Sequence, residues 1–206
     1  MNSTHTTLYL VRHAQSHPTN ARDEPEWPLS ELGTTQAALL PPLLEPLGIE
    51  RIVSSPYVRC LHTIGPFART FSLDIDVHEG LRERRITTKL RKDFEDVMRK
   101  SWEDFTFALP GCESSEAAQQ RIGQAVDQII SDHRGKTVAI SSHGNSIGLY
   151  LNTLDPSFGM KEMFSIRNPD VVRLTATESG VAVDTDFELP GLQKIARDHR
   201  ESPIDW

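Results

Sequence analysis

The chain has 206 residues and a mass of 23.1 kDa, a length that predicts one domain with a full core. Its 22 basic and 29 acidic residues give a formal charge of −7, and hydrophobic residues make up 37% of the chain. A net-negative surface disfavours nucleic acid and anionic membrane as partners, and the hydrophobic content argues against a disordered chain. Two cysteines, Cys60 and Cys112, cannot supply a disulfide framework or a Cys-based zinc site. The N-terminus has no basic stretch followed by an apolar one, and no run of about 18 apolar residues occurs. The expectation is a reduced, cytoplasmic protein with a single domain over residues 1–206. Residues 191–206 read as a C-terminal extension whose role the sequence leaves open, as it does the oligomeric state.

Thr7-Leu-Tyr-Leu-Val-Arg12 is a short apolar, β-prone run, as expected of a strand buried in a parallel sheet. Ser30 predicts the cap of a helix running through Leu40, which Pro41 and Pro42 should bend or end. Arg51-Ile-Val-Ser54 predicts a second strand, with Pro56 at the first position of a following helix. The alternation of Leu73-Asp-Ile-Asp-Val77 predicts a third strand. From Ser114 to His133, Ala118, Ile122, Val126 and Ile129 recur at spacings of three or four, the stripe of an amphipathic helix stopped by Gly135. Lys136-Thr-Val-Ala-Ile-Ser141 predicts a fourth strand, with another helix after Gly144. Residues 171–176 and 181–186 flank Glu178-Ser-Gly180 as a hairpin. Strands separated by helices predict an α/β fold, a three-layer α/β/α sandwich. Its mainly parallel sheet becomes mixed through the terminal hairpin.

Ligands of such sheets bind beyond the carboxyl ends of the strands, where strand order reverses. Polar clusters fall at those ends: Arg12-His13-Ala-Gln-Ser16, Ser54-Ser-Pro-Tyr-Val-Arg59 and Ser141-Ser-His143-Gly-Asn-Ser-Ile147. Two arginines can fork onto phosphate or carboxylate oxygens, and two histidines beside them can donate, accept or attack. No cluster has the spacing of a metal site, and no Gly-rich phosphate loop with its lysine is present. The chemistry expected is covalent or general acid–base, without a metal or other cofactor.

These clusters belong to an ordered set that continues with Pro28-Leu-Ser-Glu-Leu-Gly-Thr-Thr-Gln-Ala37, Leu81-Arg-Glu83 and Pro110-Gly-Cys-Glu-Ser114. The set resembles the histidine phosphatase superfamily, which includes the cofactor-dependent phosphoglycerate mutases. The resemblance implies that His13 is the nucleophile and forms a phosphohistidine, with Arg12, Arg59 and His143 around the transferred phosphoryl group. It implies that Glu83 protonates the leaving alcohol and later takes a proton from water. Glu79 is the competing carboxylate, with the ordinary role of a solvated surface group. The family's asparagine falls at Thr19, so either a bulge lets Asn20 reach the phosphate or Thr19 substitutes for it. Ala14-Gln15 replaces the family's Gly-Glu, and the inserted Cys112 leaves the role of Glu113 open. Arg82, Arg84, Arg85, Lys89, Arg91 and Lys92 form a local cationic island, readable as a recognition surface for an anionic substrate or as a solvated helix face. His62, one turn from Arg59, reads as a packing residue.

The reading is a metal-independent phosphatase that hydrolyses a small phosphorylated substrate through phosphohistidine. A phosphoglycerate mutase is the first alternative, disfavoured because the family's Arg-Arg-Ser-Tyr-like stretch is absent, Arg84-Arg85 being only a partial echo. A non-catalytic phosphate-binding protein is the second, disfavoured because Arg12, His13, Arg59, Glu83 and His143 are all intact.

Overall fold

The apolar run at the N-terminus becomes β1 (Thr6–Arg12), and its successive side chains enter different cores. The computed structural model describes residues 5–198. The other strands are β2 (Arg51–Ser54), β3 (Ile75–Val77), β4 (Thr137–Ser142), β5 (Asp170–Thr177) and β6 (Gly180–Val183). They form one sheet in the order β3-β2-β4-β1-β5-β6. The first four are mutually parallel where they pair, whereas β5 runs antiparallel to both β1 and β6. The helices are α1 (Glu31–Leu44), α2 (Val58–Phe71), α3 (Phe94–Glu103), α4 (Ser115–Asp132), α5 (Gly144–Leu154), α6 (Met160–Ser165) and α7 (Leu192–Ile195).

Leu8 and Leu10 pack with Ile122, Val126 and Ile129 of α4 and Ile147 of α5, on one face of the sheet. Tyr9 and Val11 pack with Leu40 and Leu44 of α1 and Ile64 and Phe67 of α2, on the other. Alternate residues of a strand point to opposite faces, so a strand with both sets buried is the middle of three layers. A smaller cluster of Ile86, Val97, Met98 and Met163 joins α3 and α6. Neither of those helices is anticipated by the sequence reading, because α3 buries only Val97, Met98 and Ser101 among its ten residues. Among the described residues no helix is long and apolar enough to cross a membrane.

Several boundaries depart from the sequence expectation for identifiable reasons. Helix α1 continues through Pro41 and Pro42 to Leu44. An interior proline costs about 3 kcal/mol, and the complete burial of Leu40 and Leu44 offsets it. The helix after β2 begins at Val58 rather than at Pro56, because Ser55 N–H still donates to Ser141 O (2.9 Å) and prolongs the sheet pairing. Strand β3 starts at Ile75 because Leu73 N–H is taken by Ala68 O (2.9 Å), closing α2. The expected 114–133 helix is α4 with Ser114 as its cap, its Oγ accepting from Ala117 N–H (3.1 Å).

The segment from Gly191 packs onto the body: Leu192 and Ala196 enter the second core, and Arg197 exchanges backbone hydrogen bonds with Asn168 (2.8 and 2.9 Å). Residues 199–206 of the expected extension lie outside the described residues.

The turn after β1 rests on the start of α1 through close backbone approach. Ser30 N–H donates to Gln15 O (3.0 Å), Gln15 N–H to Gln36 Oε1 (2.9 Å), and Ser30 Oγ to Gln15 Oε1 (2.7 Å). Gly33 makes this possible, since a Cβ there would fall 1.9 Å from Gln15 O. Gly33→Ala must push the turn off the helix, an overpacking cost of about 3 kcal/mol. The thermal midpoint should then fall by roughly 6–12 °C for a chain of this size, read by calorimetry. An unchanged midpoint would mean that the turn is not held by this contact.

Candidate active site

The chain leaves β1 toward β2 on one side of β4, and leaves β4 toward β5 on the other side of β1. The carboxyl ends of β1 and β4 are therefore the point where strand order reverses. Their register sets Arg12 opposite Ser142, and the next residue on each strand is a histidine. His13 N–H donates to Ser142 O (3.1 Å), and the two imidazole rings lie edge to face with centroids 5.3 Å apart.

His13 is buried, and its Nδ1 lies 2.7 Å from Ala14 O. That contact requires the proton on Nδ1, which leaves Nε2 with its lone pair. Arg59 Nε donates toward this Nε2 at 3.3 Å. Burial, then Arg59 and Arg12, hold the His13 pKa well below the ordinary value of 6.5. The ring is thus neutral, with a lone pair on Nε2 that meets the Arg59 N–H, and neutrality is what an attacking imidazole requires. His143 is fully buried, with Nε2 2.7 Å from Ser55 Oγ and its ring 4.9 Å from that of Tyr57. Burial followed by Arg59, His13 and Arg12 lowers its pKa well below 6.5 as well. The nearby Cys60 thiol is pushed up to about 12 by burial and stays protonated, so it offers no thiolate to compete as nucleophile.

Two guanidinium groups flank the imidazoles. Arg12 packs over Gly144, where a Cβ would come 2.7 Å from its Cζ, and its Nη1 donates to Ile166 O. Its Nε is buried without a hydrogen-bond partner. Burial lowers its pKa to about 10, against the pull of Glu83 and Asp170, so it remains a cation at neutral pH. Arg59 is 3% exposed, with its Cζ 4.8 Å from the Tyr57 ring centroid and 5.6 Å from that of Trp27. Its Nη1 donates to Glu24 O (2.8 Å) and its Nη2 to Glu24 Oε1 (3.0 Å).

Glu83 lies at the start of α5, whose first backbone N–H groups have no acceptor within the helix. Its Oε1 accepts from Arg84 N–H (2.8 Å), Ser146 N–H (3.0 Å) and Ser146 Oγ (3.0 Å), and its Oε2 from Asn145 N–H at a longer 3.3 Å. The stretch that carries it is clamped. Glu113 binds Arg121 Nη2 (2.7 Å), Arg121 Nε (2.9 Å) and Arg82 Nη2 (3.1 Å). Arg121 Nη1 donates to Gly80 O (2.7 Å) and Arg82 O (3.0 Å), while the buried Arg84 donates to Glu113 O and Ser101 Oγ (both 2.9 Å). Glu113 is thus a brace, more than a helix-start residue. Glu79 is exposed on the short turn Glu79–Leu81.

The cationic island is irregular chain in place of a helix face. Arg84 is internal, Arg82 is paired with Glu113, and Arg85, Lys89 and Lys92 are exposed. Asn20 is exposed, its Oδ1 accepting from Leu90 N–H (3.2 Å), and Thr19 Oγ1 accepts from Ala21 N–H (3.1 Å). His62 is exposed on α2. Sequence reasoning missed Glu24, Trp27, Ser55, Ser146 and Asn168, whose Nδ2 donates to His13 O (2.8 Å). Ser55 belongs to the polar cluster that ends β2, whereas Glu24 sits in a polar stretch with no periodic signal. Among the described residues no group of three or more His, Cys, Asp or Glu side chains is placed to hold a metal ion.

The model of the histidine phosphatase superfamily (branch 1) matches residues 8–186. The chain belongs to that superfamily. A bifunctional protein of Mycobacterium tuberculosis is 30% identical over 171 residues, covering 76% of this chain. The match spans 46% of that relative's length. A probable phosphoglycerate mutase of Serratia proteamaculans is 26% identical over 210 residues, covering 93% of this chain and 97% of its own. Solved structures agree in fold. A mycobacterial glucosyl-3-phosphoglycerate phosphatase superposes with a TM-score of 0.70 at 22% identity, covering 86% of this chain and 96% of its own. A phosphoglycerate mutase from Bacillus anthracis superposes with a TM-score of 0.74 at 19% identity, covering 94% and 98%. The fold of this superfamily member is therefore phosphoglycerate mutase-like, with a mixed six-stranded sheet.

A pH dependence of stability follows from the buried rings. Below about pH 6.5 the unfolded chain takes up protons at His13 and His143, while the folded protein keeps both neutral. Stability is full above that value and declines as pH falls below it. Thermal melts at about pH 7.5 and about pH 5.5 should show the lower midpoint in acid. His13→Asn should narrow the difference, and an equal pH response in wild type and variant would remove His13 as a source.

Proposed function

We propose that this protein is a metal-independent phosphomonoesterase acting through a phosphohistidine at His13. The observation that carries the reading is the His13 tautomer: a neutral, desolvated ring whose Nε2 lone pair faces Arg59 at 3.3 Å, with a second imidazole 5.3 Å away. His13 Nε2 attacks phosphorus, forming an N–P bond as the ester P–O bond breaks. Arg12, Arg59 and His143 hold the non-bridging oxygens, where positioning and charge supply most of the catalysis. The negative charge arriving there favours protonation of His143, which then acts as a donor. Glu83 protonates the departing oxygen through Oε2, the less committed of its two oxygens. A water then attacks phosphorus and gives its proton to Glu83, and the N–P electron pair returns to His13. Asn20 Nδ2 or the Thr19 hydroxyl proton is the donor either residue would offer the phosphate, since their oxygens accept from Leu90 and Ala21 N–H.

A phosphoglycerate mutase would use the same residues and is the second reading, favoured by the likeness to relatives named for that activity. Hydrolysis is preferred because the segment after Glu83 lacks the mutases' paired-arginine and tyrosine stretch, leaving a smaller cover through which water enters. Two free cysteines suit the reduced cytoplasm, which is the proposed location.

Brief reaction with labelled nitrophenyl phosphate should place an acid-labile, base-stable label on His13, with activity surviving chelator and lost to vanadate. Label on a serine or aspartate, or loss of activity in chelator restored by a divalent ion, would overturn the mechanism. Glu83→Gln should slow phosphohistidine formation from alkyl phosphates by roughly 10²–10⁴-fold and from aryl phosphates far less, since phenolate leaves without a proton. Glu113→Ala should reproduce part of that alkyl-specific loss while vanadate still binds. Equal losses on both ester types would take Glu83 out of the acid role.

A further inference from the structure

We infer that Glu24 is the positioning residue of Arg59: it holds the terminal edge of the guanidinium, so that the edge bearing Nε is aimed at a phosphoryl group on His13. The inference rests on the phosphomonoesterase reading of the same site.

Arg59 is already tied to His13 at the base of its side chain. Ala14 N–H donates to Thr63 Oγ1 (2.9 Å), and Thr63 Oγ1 donates to Arg59 O (2.6 Å). A buried hydroxyl thus joins the residue after His13 to the first turn of α2. A long, rotamer-rich side chain still separates that anchor from the cation, so the tip needs a partner of its own.

Glu24 is that partner. A guanidinium is a planar fork of N–H donors, with a terminal edge formed by Nη1 and Nη2 and a side edge formed by Nε and the neighbouring Nη. Nη1 donates to Glu24 O (2.8 Å) and Nη2 to Glu24 Oε1 (3.0 Å), so one residue spans the terminal edge. The side edge is thereby turned toward the nucleophile, with Nε–H directed at His13 Nε2 at 3.3 Å. The Tyr57 ring, 4.8 Å from Cζ, covers the group.

The loop that carries Glu24 is closed on itself, which makes it a fixed mount. His17 N–H donates to Pro28 O (2.9 Å), and Ser16 and Leu29 pair as an isolated β-bridge. Within the loop, Trp27 Nε1 donates to Thr19 O (2.9 Å). Trp27 N–H donates to Glu24 O (3.2 Å), so the carbonyl that meets Nη1 is held from inside the turn. Loops with paired ends and packed interiors keep their shape. A phosphoryl oxygen arriving at Nε2 takes over the Nε proton, which releases the lone pair for attack. The adjacent Nη proton completes a side-on pair of hydrogen bonds. Without Oε1 the fork can turn about its Nη1 contact, and the two donors no longer face the phosphoryl group together.

The experiment compares Glu24→Gln with Glu24→Ala. Both remove the same charge, so a general change in the attraction for anions is common to them, and only Gln keeps an oxygen for Nη2. Relative to Gln, Ala should bind vanadate about tenfold more weakly. It should form phosphohistidine more slowly by a similar factor on alkyl and aryl phosphates alike, because Arg59 acts on the phosphoryl oxygens rather than on the leaving group. Inorganic phosphate, which demands no attack geometry, should weaken less than vanadate. In an Arg59→Ala background the two Glu24 variants should bind vanadate equally. Binding is read by calorimetry, which needs no turnover, on variants whose thermal melts show them folded. Glu24→Met, of similar length and without an oxygen, replaces Ala if the shorter side chain unsettles the loop, and should show the same gap from Gln. Equal vanadate affinities for Gln and the variant without an oxygen would overturn the inference. So would a gap that persists without Arg59, or an equal weakening of vanadate and phosphate. Wild-type protein that binds vanadate but does not turn over nitrophenyl phosphate would instead strike the phosphomonoesterase reading itself.

Discussion

Parallel pairing between β1 and β4 sets Arg12 opposite Ser142, and the rest of the site is built outward from that register. One step further along each strand, the hydrogen bond from His13 N–H to Ser142 O brings the imidazoles to 5.3 Å. A parallel sheet can do this only if both strands are buried on both faces, because the crossovers that make them parallel must cover the sheet. The two cores on either side of β1 are therefore as much a part of the site as the histidines. A slip of one residue would turn every side chain of the strand to the opposite face.

Bringing two imidazoles and two guanidiniums out of water creates an electrostatic difficulty, which the fold resolves in two ways. The imidazoles give up their protons, since burial and the neighbouring arginines both favour the neutral form. The arginines keep their charge but are given acceptors: Ile166 O for Arg12, and the backbone and carboxylate of Glu24 for Arg59. Carboxylates thus enter a site otherwise suited to anions. Glu83 is held by the start of α5 and Glu24 by Arg59, so the two carboxylates have different environments. Burial comes first in raising the Glu24 pKa, with Arg59 opposing it. Separated environments of this kind let neighbouring carboxylates take different tasks.

Rigidity at Glu83 comes from a set of contacts at some distance from the imidazoles. Arg121 reaches from α4 to Gly80 O and Arg82 O, Glu113 joins Arg121 to Arg82, and Arg84 runs inward to Ser101. Three guanidiniums share the one carboxylate of Glu113 with backbone and hydroxyl acceptors, and these directional bonds hold the stretch in one geometry. The turn that bears His13 is fixed differently, by direct backbone approach at Gly33 and by Asn168 Nδ2 on His13 O. His13 and Glu83 are thereby positioned by separate parts of the molecule.

The sequence by itself determined that strands alternate with helices in a mainly parallel, mixed sheet and that Arg12, His13, Arg59 and His143 fall at one rim. Short apolar runs are local signals, and crossover topology brings their carboxyl ends together. The proline-crossed end of α1, the late start of α2 and the small helices α3 and α6 were beyond it. In each of those cases burial or a hydrogen bond to a distant strand outweighs local propensity. Tertiary structure alone decided which carboxylates meet the cations. Glu83 finds its partners 62 and 63 residues away at Asn145 and Ser146, Glu24 meets Arg59 across 35 residues, and Asn168 reaches His13 across 155. The residues in those loops follow no period that a sequence displays, and their roles exist only through contacts that the packed sheet brings within reach.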